Sequence, residues 1–168
     1  MPNTIASTFR TISSFAGDMI KLPPRVQFAA LPYRHGPEGA EYLLITSRDT
    51  GRWVLPKGWP VKNADVRDSV MREAWEEAGI IGHMHGEPAG EFCYDKNLPA
   101  HSLQCRVVIY PVQVVRLADA FPERTERKRK WFSAALAARR VREPELRSLF
   151  RSGELDVLVS GFRGYKST

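Results

Sequence analysis

The sequence predicts an α/β fold, and three observations carry that expectation. Short apolar segments bounded by Gly and Pro recur along the chain and read as strands. One of them, Leu103 to Val115, is long and almost continuously apolar, as a central strand is. Between them, Asp65 to Ala78 has the three-and-four spacing of a helix, and further helical segments follow the last strand.

Residues 1–24 come first and differ from the rest. Ile5, Phe9, Ile12, Ala16, Met19 and Ile20 form one stripe on a helical wheel, and Leu22-Pro23-Pro24 ends it. Packing on its own domain, a homodimer contact and a transit peptide all fit such a segment. Val26 to Tyr33 and Glu41 to Thr46 then read as strands around the turn His35-Gly36-Pro37-Glu38-Gly39. Trp53 to Leu55 is a short strand before Pro56. The Asp65 to Ala78 helix closes at Gly79, where a left-handed residue is needed. Glu91 to Tyr94, Leu103 to Val115 and Lys130 to Phe132 are the remaining strands. Ser133 caps a helix to about Arg140, and Pro144 opens another through Arg151. The expected division is residues 1–24, a domain over 25–152 and a C-terminal extension over 153–168, weakly patterned from Ser160 onward.

With 168 residues, 43% of them hydrophobic and 26% charged, the chain suits one globular domain and excludes general disorder. No apolar run approaches the roughly 20 residues of a spanning helix, so no membrane partner is expected. Cys93 and Cys105 make neither a disulfide framework nor a zinc spacing, which favours a reducing, cytoplasmic setting. The net charge of +6 favours anionic partners, whether phosphorylated metabolites, nucleic acid or anionic lipid.

On the Asp65 to Ala78 helix, Met71, Ala74, Trp75 and Ala78 share the side expected to face the core. Arg72, Glu73, Glu76 and Glu77 share the other. Three carboxylates on one arc repel unless they are solvated or a cation sits among them, and hard oxygen donors suit Mg2+ or Mn2+. His35, His83, His85 and His101 form no ligand set; His83 and His85 alternate and read as a surface pair. Trp53, Trp75 and Trp131 read as core, while Trp59 either packs on the turn or stacks on a ring.

The flanks of the helix sharpen this. Gly58, then thirteen residues, then Arg72-Glu73-Ala74-Trp75-Glu76-Glu77-Ala78-Gly79-Ile80 resembles the Nudix box, Gly-x5-Glu-x7-Arg-Glu-U-x-Glu-Glu-x-Gly-U with U aliphatic. Gly58, Arg72, Glu73, Glu76, Glu77, Gly79 and Ile80 match it; Ala64 stands where the pattern has its first Glu, beside Asp65. Ala29 to Tyr33, Leu43 to Arg48, Trp53 to Pro60 and Arg127-Lys128-Arg129-Lys130-Trp131-Phe132 resemble the diphosphoinositol polyphosphate phosphohydrolase branch and its small bacterial relatives. The similarity spans Arg25 to Phe150.

The resemblance implies an α/β/α sandwich around a mixed sheet and a divalent-metal-dependent hydrolase that cleaves a diphosphate linkage by water attack at phosphorus. It implies Glu73 and Glu77 as main metal ligands, Glu76 as third ligand or base, Arg72 as the partner of Glu76, and the Gly58 carbonyl as a further ligand. Glu123 and Glu126 are candidates for an extra acid. Lys57, Arg48, Arg127 and Arg129 are candidates to bind substrate phosphates, with Arg52 beside them; in an extended segment Arg127 and Arg129 share a face. The expected substrate is small and phosphorylated: a diphosphoinositol polyphosphate, a diadenosine polyphosphate or a related nucleotide. Nucleic acid is less favoured, since no aromatic-rich basic surface is evident. The rival reading, prompted by Ala64 and the charge, is a catalytically weak domain that binds an anionic ligand or RNA as a regulator.

Overall fold

Period-two alternation in the strands is what builds the layers, because successive side chains leave a strand on opposite faces. In the computed structural model, which describes residues 24–99 and 101–162, β1 (Arg25–Gly36) sends Ala29, Leu31 and Tyr33 to one face and Ala30 to the other. β2 (Gly39–Thr46) does the same with Tyr42 and Leu44 against Leu43 and Ile45. Each face therefore needs its own cover.

One cover is α1 (Val66–Ala78), whose Val70, Ala74 and Ala78 pack with Ala30, Leu43, Ile45 and Val112. The other is formed by α2 (Ala134–Arg140), α3 (Pro144–Arg151) and α4 (Glu154–Ser160). Their Ala137, Leu146, Phe150, Leu155 and Val159 pack with Leu31, Tyr42 and Ile109. The result is the expected three-layer α/β/α arrangement. Ser133 caps α2 and Pro144 opens α3, as expected.

The sheet is mixed. Its path is β3 (Trp53–Val54), β2, β1, β7 (Ser102–Leu117), β5 (Ile80–Met84). β1 and β7 run parallel, with Phe28 opposite Val108 and Tyr33 opposite Gln113. The other pairs are antiparallel: β4 (Lys57–Gly58) joins β1, β6 (Gly90–Asn97) joins β7, and β8 (Arg129–Ser133) joins β2. β7 is central, as its apolar run predicts.

The sequence reading differs from the structure at several points. β4 is too short for a periodicity and β5 carries two glycine- or histidine-type interruptions, so neither stands out as a strand. α4 lies where the sequence suggests an extension, yet its Leu155 and Val159 are buried in the core. Trp75 is not core: it is 38% exposed, whereas Glu77, expected on the outward arc, is buried beside Ala74 and Ala78. His83 and His85 are not an exposed pair; His85 is half-buried, 2.8 Å from the Tyr33 hydroxyl and stacked on Phe162. The amphipathic stripe from Ile5 to Ile20, and the homodimer contact through it, lie outside the described residues, as do residues 163–168. Among the described residues no helix is long and apolar enough to cross a membrane.

Candidate active site

Two local devices aim the carboxylates of α1. At its start, the Asp65 side chain accepts from the Asp68 N–H at 2.8 Å, so the residue beside Ala64 is an N-cap and not a substitute for the missing glutamate. At its end, Gly79 adopts φ 63°, and its N–H bonds back to Trp75. The helix thus points Glu73 and Glu77, one turn apart, at the hairpin-like β4 strand. There, the Lys57 N–H donates to Glu77 Oε2 at 2.9 Å. A Cβ built on Gly58 would lie 2.5 Å from Glu73 Oε2 and closer still to Oε1. Glycine is required here by the Glu73 carboxylate, not by backbone conformation, since Gly58 is absent from the positive-φ glycines.

Electrostatics mark these acids. Glu73 is pushed up to about 7, mainly by burial and then by the charges of Glu77 and Glu76. Burial also raises Glu77, against the opposing pull of Arg127 and the Lys57 N–H. Lys57 is lowered by burial, with Glu77 pulling the other way. Glu76 is turned outward: its Oε1 accepts from Arg72 Nε at 2.7 Å, the pairing the sequence predicts, and Arg72 is exposed.

The loop between β7 and β8 supplies the opposite wall. Its Glu123 N–H donates to the Glu76 carbonyl at 3.0 Å, which ties the loop to α1. Arg127 precedes β8 and turns inward. Its NH2 pairs with Glu77, its Nε donates to Glu123 at 2.5 Å and its NH1 donates to the Thr46 carbonyl at 3.0 Å. Arg48 pairs with Glu126 at 3.3 Å and with Glu123 at 3.6 Å. Glu123 lines the cavity described below, whereas Glu126 sits outside its lining, at the Arg48 end. The expected common face of Arg127 and Arg129 does not form. Arg129 donates to the Ala78 and Ala118 carbonyls at 2.7 and 2.8 Å and stays out of the cavity. The physical reason is the C-terminus of α1, whose last carbonyl, that of Ala78, has no helical partner and takes one from Arg129.

These groups line a cavity of about 730 Å³. Glu73, Glu76, Glu77 and Glu123 are its α1 and loop acids. Lys57, Arg52, Lys96 and Arg142 line it as well. Arg52 is held by buried Glu143 at 3.1 Å. Lys57 Nζ stands 5.1 Å over the Tyr94 ring, and the Tyr94 hydroxyl donates to Gln27 at 2.7 Å. Trp59 also lines the cavity, with Arg25 and Lys96 over its ring at 5.2 and 5.4 Å. The cavity therefore brings together Gly58, Glu73, Glu76, Glu77, Lys57, Arg48, Arg127 and Glu123 from the sequence-predicted set. Gln27, Tyr94, Lys96 and Arg142 are the additions. Only Gln27 carries a sequence signal, a polar residue within an apolar strand; Tyr94 and Lys96 on β6 and Arg142 after α2 depend on how distant elements meet.

The donor chemistry fits a hard divalent cation: carboxylate oxygens that repel one another, with room kept open by Gly58. The three acids of α1 do not converge, because Glu76 turns to Arg72 and Glu77 to Arg127. Among the described residues no group of three acid, His or Cys side chains is already gathered as a ligand set.

A NUDIX domain model matches residues 23–152. The chain is similar to Nudix hydrolase 21, chloroplastic, of Arabidopsis thaliana, at 32% identity over 64% of this chain and 54% of that protein. It is similar to human diphosphoinositol polyphosphate phosphohydrolase 3-alpha at 30% identity, over 62% of this chain and 61% of the relative. It thus spans about half to three-fifths of the length of these relatives. Among solved structures, a C. elegans Ap4A hydrolase binary complex superposes with a TM-score of 0.59 at 20% identity, over 82% of this chain and 99% of the other. The NUDIX domain of Shewanella oneidensis NrtR, complexed with ADP ribose, superposes equally, at 14% identity over 83% and 92%. These two likenesses concern the fold.

Proposed function

Since the chain belongs to the NUDIX domain family, we propose that it is a divalent-metal-dependent pyrophosphohydrolase acting on a phosphate-rich diphosphate compound. One observation carries the reading: a single cavity is lined both by the acids Glu73, Glu76, Glu77 and Glu123 and by the cations Lys57, Arg52, Lys96 and Arg142. Carboxylates alone repel a polyanion, and cations alone only bind one. The two together can place a diphosphate so that its scissile bond lies over the acids.

Glu73 and Glu77 would hold the cation, with the Gly58 carbonyl beside them. The cation, when bound, neutralises charge on the phosphoryl oxygens and acidifies water. The rest is work for the chain itself. Arg72 keeps Glu76 oriented at the mouth of the site. Glu123 is the candidate to accept the proton of the attacking water, as it lines the cavity and is held against α1 by its own backbone. Lys57, Arg52 and Arg142 meet phosphates remote from the reacting centre, and Arg48 stands at the rim. Diphosphoinositol polyphosphate and Ap4A, which relatives are named for, and ADP ribose, which one neighbour binds, are the compounds to try first.

The test is phosphate release from that panel with Mg2+, with Mn2+ and with EDTA. Release that needs metal is the expected result. Ala64 favours one second reading, a weak domain that retains an anionic ligand. Tight, salt-sensitive binding with no metal-dependent release from any member would replace the first reading by that one.

A further inference from the structure

The basic run before β8 contributes one residue, Arg127, to the heart of the site, and its setting differs from that of a substrate-reading arginine. Its side chain is only 7% exposed. All three guanidinium nitrogens are engaged, by Glu77, Glu123 and the Thr46 carbonyl. Glu77 is equally committed. Its Oε1 takes Arg127 and its Oε2 takes the Lys57 N–H. By contrast, no hydrogen bond or ion pair holds the Glu73 carboxylate among the described residues. The two acids offered to a cation are therefore not equivalent.

We infer that Arg127 contends with the divalent cation for Glu77 and so sets the cation concentration at which the site loads. The inference rests on the metal-dependent reading above. Its physical basis is the anchoring of the arginine. If Glu77 turns from Arg127 to a cation, Glu123 and the Thr46 carbonyl still hold the guanidinium in place. A fixed positive charge then remains at contact distance from the ligand, where burial keeps screening weak. The same charge prevents Glu77 and Glu123 from repelling each other before loading. Arg127 thus favours the folded site and disfavours the loaded one. Its role is positional and electrostatic, through Glu77.

Calorimetric titration of the full chain with Mn2+ tests this, with thermal melting alongside. Arg127→Gln keeps hydrogen-bonding capacity and removes the charge. It should bind Mn2+ roughly tenfold more tightly than the parent, since one nearby positive charge is gone. It should also melt lower without metal and gain more from Mn2+ than the parent does. Arg127→Lys keeps a charge but cannot span three acceptors, so its affinity should rise by about threefold. If Arg127→Gln does not fold, the lysine variant alone decides. Lower melting with Mn2+ affinity unchanged or weakened overturns the inference, because that is what a purely structural or ligand-positioning arginine gives. A parent chain that binds no Mn2+ overturns the metal-dependent reading itself, and this inference with it. The two failures are distinct because the first is read from the variants against a parent that binds Mn2+, and the second from the parent alone.

Discussion

Replacing Gly58 by alanine should separate activity from stability. The new methyl carbon would lie 2.5 Å from Glu73 Oε2, and ordinary contact begins at 3.4 Å, so that oxygen must retreat by about 0.9 Å and its partner by more. The backbone itself accepts alanine, because Gly58 pairs with Phe28 as an ordinary strand residue. What moves is the far end of a long side chain, and a rotamer adjustment costs on the order of 0.5–1.5 kcal/mol. In a domain of this size 1 kcal/mol shifts Tm by about 2–4 °C. A catalytic group displaced by about 1 Å, in contrast, loses on the order of 10²-fold in rate. Gly58→Ala should therefore melt within about 6 °C of the parent while kcat falls on the order of a hundredfold at saturating Mg2+. Phosphate release and a thermal melt on one preparation suffice. Retention of more than half the parental kcat would refute the placement of Glu73 in the site. A collapse of the melt would show that the glycine serves the backbone instead.

Glu77→Gln should lower kcat by roughly 10²-fold or more and, because Glu77 is buried and paired with Arg127, should also lower stability by about 1–3 kcal/mol in urea unfolding; an unchanged midpoint would argue against the buried pair. In EDTA, unfolding free energy should fall as pH rises from about 5 to 7. Glu73 is raised from 4.5 to about 7, so between those values the native chain binds more protons than the unfolded one and loses stability with rising pH, with no further loss from this group above it. Glu73→Gln should flatten that slope, and a slope of opposite sign would contradict the burial of the carboxylate. Arg129→Ala should cost about 1–2 kcal/mol, by stranding the Ala78 and Ala118 carbonyls, and leave KM for every substrate unchanged; a selective rise in KM for phosphate-rich substrates would return Arg129 to the binding surface.

Much of the carboxylate end was legible because it is local. The Gly58 spacing, the α1 helix, the Gly79 stop and the Arg72–Glu76 pair all lie within one short stretch, where helical geometry converts spacing into position. The basic wall was legible only in part. Arg48 and Lys57 sit beside that stretch, but Lys96 reaches the cavity from β6 and Arg142 from the α2–α3 connection, and their meeting depends on the whole sheet. The basic run shows the limit most clearly. Alternation in an extended strand puts Arg127 and Arg129 together, yet β8 begins only at Arg129. Arg127 is then free to turn to Glu77, and Arg129 is taken by the Ala78 and Ala118 carbonyls. Trp75 and Glu77 exchange their expected environments for a similar reason. Hydrophobicity favours burial of the indole, but a cavity lined by Lys57 and Arg127 compensates the carboxylate.

The parallel pairing of β1 with β7 also governs the order in which the chain can fold. Arg25 to Tyr33 find their partners at Cys105 to Gln113, some eighty residues later. During synthesis, β1 and the β2 hairpin emerge long before the strand that completes their sheet. Leu31 and Tyr33 must wait for Pro111 and Gln113 on the β7 side, and a strand edge stays open meanwhile. Contacts of such separation close late and slow the passage over the folding barrier. The acids of α1 are made within that waiting interval, but the Glu123 and Arg127 that brace them come only after β7. The chain cannot assemble its charge cluster piecemeal; nascent protein lacks a site until the central strand has been laid in.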